Sequence, residues 1–380
     1  MDVSPESTHH AAREGSLAER ARRAGMSFNH WYPAAFSHEL RRGKTLAVTF
    51  WGEPIALYRA DDGSPHALED RCPHRGIKLS HGSVEGCRLV CLYHGWSFDP
   101  AGKLVEMKHD TFGKKLPTVT VRRYPARERY GIVWIFPGAA ELAALTPLPE
   151  IPFAEGPDAW ASLSFAYTWQ AHHSMVIDNL CNLTHLWVHG RWVPYGETVL
   201  AAHTAEQDRL TLRWDHELRR DLLHPFTAPF FRSEPGGNRS ETFMIYDYPY
   251  QSALSNRRVR STNFMLPIDA SRTKVFSLQL WQPLAIPFAG GRRWPRQLAA
   301  LAMPFIRPIT MEIFRQDGFT VEEEQVAWTA QPARPFPELN PMVKHFNQLG
   351  VRKWEQYVAY RASGTLGEAE RAEQTRVKVL

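Results

Sequence analysis

The sequence predicts an α+β chain of two domains: an N-terminal antiparallel β domain, then a larger domain in which an antiparallel sheet is joined by helices. Three observations carry this expectation. The chain has 380 residues, enough for two cores. Short β-rich runs separated by turn signals fill Thr45 to Phe136. Beyond a proline-rich stretch, alternating apolar and polar runs are interleaved with segments of helical character. Hydrophobic residues at 43% and charged residues at 22% are globular values, which exclude a disordered or fibrous chain.

Taken in order, residues 1–27 form a polar helix or extension without the charged, apolar and small-residue layout of an export signal. Residues 28–140 form the β domain, with strands at Thr45–Phe50 and Ile55–Arg59 and turns at Asp61–Ser64 and Asp99–Gly102. Pro147, Pro149, Pro152 and Pro157 mark residues 141–160 as a linker, since neither helix nor central strand continues easily through them. Residues 161–362 are the second domain. Its strands include Leu210–Trp214, Thr242–Tyr246 and Lys274–Trp281, and Ser174–His189 and Trp294–Gln325 read as helical. The apolar run Leu298–Ile306 is interrupted by Pro304 and flanked by Arg296 and Arg307, so it reads as a buried or amphipathic helix and not a membrane span. Residues 363–380 are a charged tail. With 45 Lys plus Arg against 40 Asp plus Glu and no dense basic run, nucleic acid is not an expected partner. Four cysteines, Cys72, Cys87, Cys91 and Cys181, are too few for a disulfide framework and point to metal ligation in a reducing cytoplasm.

The first constellation is Cys72-Pro73-His74-Arg75-Gly76 and, after sixteen residues between His74 and Cys91, Cys91-Leu92-Tyr93-His94-Gly95-Trp96. Two thiols and two imidazoles suit zinc or an iron-sulfur cluster. Structural zinc usually takes its cysteines and histidines in separate pairs, whereas each loop here supplies one of each. A cluster with two thiolates on one iron and two imidazoles on the other needs that distribution. These loops resemble those of the Rieske-type non-haem iron oxygenases, the superfamily of aromatic-ring-hydroxylating enzymes, monooxygenases and demethylases. The resemblance runs from about Trp31 to Tyr360 and identifies the chain as a catalytic α subunit. It implies that Cys72, His74, Cys91 and His94 hold a 2Fe-2S cluster, and that the second domain has the helix-grip, START-like fold. Cys87 and Cys181 have no matching role and read as packed or partly exposed thiols.

The second constellation is Asp178-Asn179-Leu180-Cys181-Asn182-Leu183-Thr184-His185-Leu186-Trp187-Val188-His189. On a helix, His185 and His189 lie one turn apart on one face and can share a metal. A two-histidine, one-carboxylate triad needs an acid as well. The resemblance implies Asp317, on a late helix, with Glu312, Glu322, Glu323 and Glu324 as competitors. His172 and His173 lie close enough to replace a histidine ligand, or are structural or pocket residues. Family members usually carry an acid three positions before the first histidine, where it bridges that histidine to a cluster histidine of the neighbouring subunit. Here the position is Asn182, an amide that cannot ionise. Without the carboxylate, the electron path slows or uses another group such as Asp178.

The resemblance implies a mononuclear Fe(II), O2 as co-substrate, a ferredoxin or flavin-containing reductase that brings NAD(P)H electrons only indirectly, and a cytoplasmic homotrimer closed head to tail. The length and the histidine spacing look more like monooxygenases and demethylases than dioxygenases with a β subunit. Hydroxylation or O- or N-demethylation of a small, largely apolar molecule is expected, since 13 Trp, 20 Phe and 12 Tyr build such a pocket easily. Desaturation, oxidative cyclisation and electron transfer without a working iron site are the alternatives.

Overall fold

The computed structural model describes residues 15–108, 113, 115–220, 230–231, 237–283, 293–331 and 337–365. Helix α1 (Leu17–Arg23) begins with a reciprocal cap: the Ser16 hydroxyl accepts the Glu19 amide, and the Glu19 carboxylate accepts the Ser16 amide. Strands β1 (Tyr32–Phe36), β2 (Thr45–Phe50), β3 (Glu53–Arg59), β4 (Pro65–Glu69), β5 (Ser83–Glu85), β6 (Arg88–Val90), β7 (Trp96–Phe98), β8 (Leu104–Met107), β9 (Arg123–Tyr124), β10 (Ala126–Arg129) and β11 (Ile132–Ile135) follow. They make three antiparallel sheets, ordered β1-β11-β10, β2-β3-β4-β9 and β5-β6-β7-β8. The Cys91 loop joins β6 to β7 of the third sheet, and the Cys72 loop lies on the connection from β4 of the second sheet to β5 of the third.

The rest of the chain is built on one seven-stranded antiparallel sheet. In chain order its strands are β12 (Ala161–Trp169), β13 (Tyr195–Ala205), β14 (Arg209–Leu218), β15 (Arg239–Asp247), β16 (Tyr250–Ser255), β17 (Val259–Asp269) and β18 (Arg272–Trp281). The meander β13 to β18 ends with β18 paired along β12, which forms the edge of the sheet opposite β13. Strand β14 alternates as a one-face-buried strand should: Leu210, Leu212, Trp214, His216 and Leu218 are buried, while Arg213, Asp215 and Glu217 point to solvent. Helices α2 (His173–Cys181), α3 (Leu186–His189), α4 (Arg296–Ala300), α5 (Met303–Ala330) and α6 (Pro341–Ser363) complete the structure.

The other face of the sheet meets the first half of the chain, where Trp134 sits edge-on to Phe264 at 4.9 Å and Phe36 packs on Phe276. One apolar cluster therefore runs from Met26 to Tyr357. Leu142, Leu148, Ile151 and Trp160, in the proline-rich stretch, belong to it, so that stretch is a packed strap.

Two expectations need correction. Ser174–His189 is not one helix: α2 stops at Cys181, and α3 restarts after His185. The Asn182 side chain accepts the Thr184 amide at 3.0 Å and the Thr184 hydroxyl at 2.7 Å, a local bond that competes with helix propagation. The run Leu298–Ile306 is helical in part, but Leu298, Leu301 and Phe305 face outward. Helix α6 has no counterpart in the sequence expectations, although Asn340 caps its start and Gly364 ends it in the left-handed region. Of the predicted tail, residues 366–380 lie outside the described residues.

Candidate metal centres and their cavity

The two cysteine loops share one backbone pattern. The Cys72 amide donates to the Ile77 carbonyl and the Gly76 amide to the Cys72 carbonyl; the Cys91 amide donates to Trp96 and the Gly95 amide to Cys91. Gly76 and Gly95 close these turns at φ +72° and +65°, where a side chain would be strained. Both cysteines are buried, whereas His74 is exposed and His94 half-buried. The imidazole rings lie 4.6 Å apart, and His74 stacks on Trp96 at the same separation. Thiols inside and imidazoles at the tip fit a cluster whose two irons take unlike ligands.

The second centre joins three elements. His185 precedes α3, His189 ends it, and Asp317 projects from the middle of α5. Asp317 Oδ1 lies 3.1 Å from His185 Nε2 and 3.2 Å from His189 Nε2. Among the described residues this buried oxygen nevertheless has no hydrogen-bond partner. Three donor atoms thus converge within 4.8 Å of one another, which fits a shared cation better than an ion pair. Burial pushes the Asp317 carboxyl up, but the two imidazoles outweigh it and hold the group below the usual carboxylate range. His189 Nδ1 lies 3.2 Å from Gln316 Oε1, and Gln316 Nε2 donates to Glu312, which also takes Arg315. With Nδ1–H donated to Gln316, His189 keeps its Nε2 lone pair for a metal. Sequence reasoning missed Gln316. Its place beside Asp317, on the helix that faces His189, was the available signal.

Residues 30–120 match the Rieske [2Fe-2S] domain model, and residues 169–361, about half of the chain, match the vanillate O-demethylase oxygenase C-terminal domain. The chain belongs to the Rieske non-haem iron oxygenases. A 4β-methylsterol monooxygenase of Methylococcus capsulatus is 34% identical, over 89% of this chain and 91% of that protein. The vanillate O-demethylase oxygenase subunit of a Pseudomonas species is 36% identical over 49% of this chain and 54% of that one. Among solved structures, dicamba monooxygenase bound to dicamba shares the fold, with a TM-score of 0.68, 20% identity, and coverage of 90% of this chain and 100% of that one. The oxygenase accordingly carries a 2Fe-2S cluster and a mononuclear non-haem iron and uses O2.

The remaining sequence candidates fall elsewhere in the oxygenase. Asp178 faces Arg22 of α1 at 3.2 Å and shows no contact with His185 among the described residues. His172 bonds Ser174 and caps α2, and His173 Nε2 donates to the Ala24 carbonyl at 2.8 Å. Burial lowers His173 to about 4 and His172 well below its ordinary range, so both rings are neutral. Glu312 serves Arg315 and Gln316, Glu322 accepts the Gln170 amide and Glu324 pairs with Arg22, while Glu323 is exposed; none joins the triad. Cys87 is exposed and Cys181 buried, both as free thiols.

A cavity of about 350 Å³ is walled in part by α5, the helix that carries Asp317. Trp192, three residues past His189, and Ile313 and Phe314, one turn before Asp317, form part of its wall, with Phe231, Trp281 and Ile309 beyond. None of its described lining residues carries a charge.

Proposed function

We propose that Cys72, His74, Cys91 and His94 bind the 2Fe-2S cluster, that His185, His189 and Asp317 bind the mononuclear iron, and that the enzyme hydroxylates a C–H bond of an apolar substrate held in the adjoining cavity. The supporting observation is the convergence of two imidazoles and one carboxylate on a single point, the carboxylate coming from the same helix α5 that walls an uncharged pocket. Per turnover, one C–H bond becomes C–OH, one oxygen atom of O2 leaves as water, and two electrons and two protons are consumed. On a methyl group bonded to oxygen or nitrogen, the same step releases formaldehyde and completes a demethylation. The bound iron centres supply electron delivery and O2 activation. The chain contributes the rest: Gln316 orients His189, Asp317 supplies a fixed negative charge, and the walls around Trp192 and Phe314 exclude water and position the carbon. The methylsterol acted on by the 34%-identical relative makes fused-ring apolar molecules the first substrates to assay.

Electrons are assigned to an external ferredoxin or flavin-containing reductase. A homotrimer is favoured by where apolar side chains meet solvent: Leu92 and Tyr93 at the cluster tip are 69% and 61% exposed, and Trp187 between the two iron-site histidines is 95% exposed. A tip-to-loop contact between neighbouring subunits covers all three. Free thiols agree with a reducing, cytoplasmic location, and among the described residues no helix is long and apolar enough to cross a membrane.

Iron and acid-labile sulfide should be measured per chain in anaerobically purified enzyme, with electron paramagnetic resonance after dithionite reduction. About three irons and two sulfides are expected, falling to about two irons in His185→Ala and Asp317→Ala with the cluster signal intact. Two irons in the parent, unchanged by either substitution, would leave an electron carrier.

A further inference from the structure

The cavity holds one polar feature that its apolar walls do not explain. Gln279 of β18 is only 6% exposed and lines the cavity. Its Nε2 donates to Ser261 Oγ at 2.6 Å and to Ser277 Oγ at 2.8 Å, but no described residue donates to its carbonyl oxygen. Ser261, its cross-strand partner on β17, lines the same cavity. Ser261 Oγ accepts from Gln279 and, at 3.3 Å, from Asn263 Nδ2, so its own proton is left to donate, and no described residue receives it. By contrast, the Thr310 hydroxyl, also on the wall, is spent on the Ile306 carbonyl of its own helix. An acceptor on buried Gln279 and a donor on half-buried Ser261 therefore stand side by side on the cavity wall, neither matched by a described residue.

We infer that Gln279 and Ser261 form a subsite for a single hydroxyl group on an otherwise apolar substrate. The ligand O–H donates to Gln279 Oε1, and its oxygen accepts from the Ser261 hydroxyl. A ketone or an ether meets only Ser261, a hydrocarbon meets neither, and a carboxylate finds no cation on the described walls. This rests on the reading of the cavity as the substrate site and narrows the substrate class to apolar alcohols.

The test is equilibrium dialysis of anaerobic holoenzyme against 2-naphthol, 2-methoxynaphthalene and naphthalene, which prevents turnover. In Gln279→Leu, the preference for 2-naphthol over naphthalene should fall about tenfold, the worth of one neutral hydrogen bond, with naphthalene affinity unchanged or improved. Ser261→Ala should reduce binding of both oxygenated probes relative to naphthalene. The visible spectrum of the cluster reports folding in each variant. An unchanged preference in both variants, or no binding of any probe to the parent, overturns the subsite. If the preference falls while the iron count stays at two, the subsite stands and the oxygenase reading of the preceding section fails.

Discussion

Asn182 is a position where fold and rate can be tested separately. Its Oδ1 bonds to Thr184 shape the turn that delivers His185, and an aspartate keeps both acceptor positions. Asn182→Asp should therefore fold normally and add a negative charge three residues before His185. Rapid mixing of reduced, substrate-bound enzyme with O2 should show reoxidation of the cluster about tenfold faster, the scale of a second-shell carboxylate effect. No change would mean that electrons bypass this position. Gln316 acts on the other imidazole. Gln316→Leu removes the acceptor that sets the His189 tautomer, and it should weaken mononuclear iron binding by about 10- to 100-fold, read by titration with a chelator, while the cluster spectrum stays constant.

At the level of elements, α5 matters because it carries Asp317 and much of the cavity wall together. Gly318 lets that helix approach β12 so closely that the Trp169 indole fills the place of a side chain. Gly318→Ala should push α5 outward and displace Asp317, at a cost of about 1–3 kcal/mol from overpacking. A lower melting temperature with mononuclear iron lost and cluster retained is the expected result; unchanged iron would show that α5 is not held by this contact. Where α1, α2 and α5 meet, Arg22 joins Asp178 at 3.2 Å and Glu324 at 2.9 Å. Burial, with Glu324 and Glu338 nearby, pushes the Asp178 carboxyl up to about 7 against the pull of Arg22. The raised value means that the folded chain holds this proton while the unfolded chain has released it. The stabilisation is thus full below about pH 4 and is lost as pH rises through 7. Melting temperature should fall between pH 5 and 8 more steeply in the parent than in Asp178→Asn; parallel curves would refute the assignment.

For the whole molecule, the apolar tips of the two metal centres predict assembly. Trp187→Glu should shift the mass seen by light scattering from trimer to monomer and abolish turnover, while all irons remain bound; a trimer that persists would place the interface elsewhere. Much of this was legible in the chain. The strand runs at Thr45–Phe50 and Leu210–Trp214 lie within β2 and β14, because alternation with period two is a local property of a half-buried sheet. The cysteine and histidine spacings pointed to two candidate centres, because donor types and loop lengths are written in sequence. Other features were not legible. The break at Asn182 depends on a side-chain bond that periodicity does not register, and α6 has an apolar pattern weakened by Lys344, Gln348 and Arg352. The choice of Asp317 over four nearby glutamates came from family resemblance, and its meeting with His185 and His189 depends on how α5 docks. Sequence by itself determined the α+β class and pointed to the cysteine and histidine donors, because strand period and donor spacing are local. Only the tertiary structure decided that Gln316 orients His189, that Asp178 answers Arg22, and that Gln279 and Ser261 face one cavity. Those juxtapositions arise when sheet and helix bury a common core, and residues far apart in sequence meet only then.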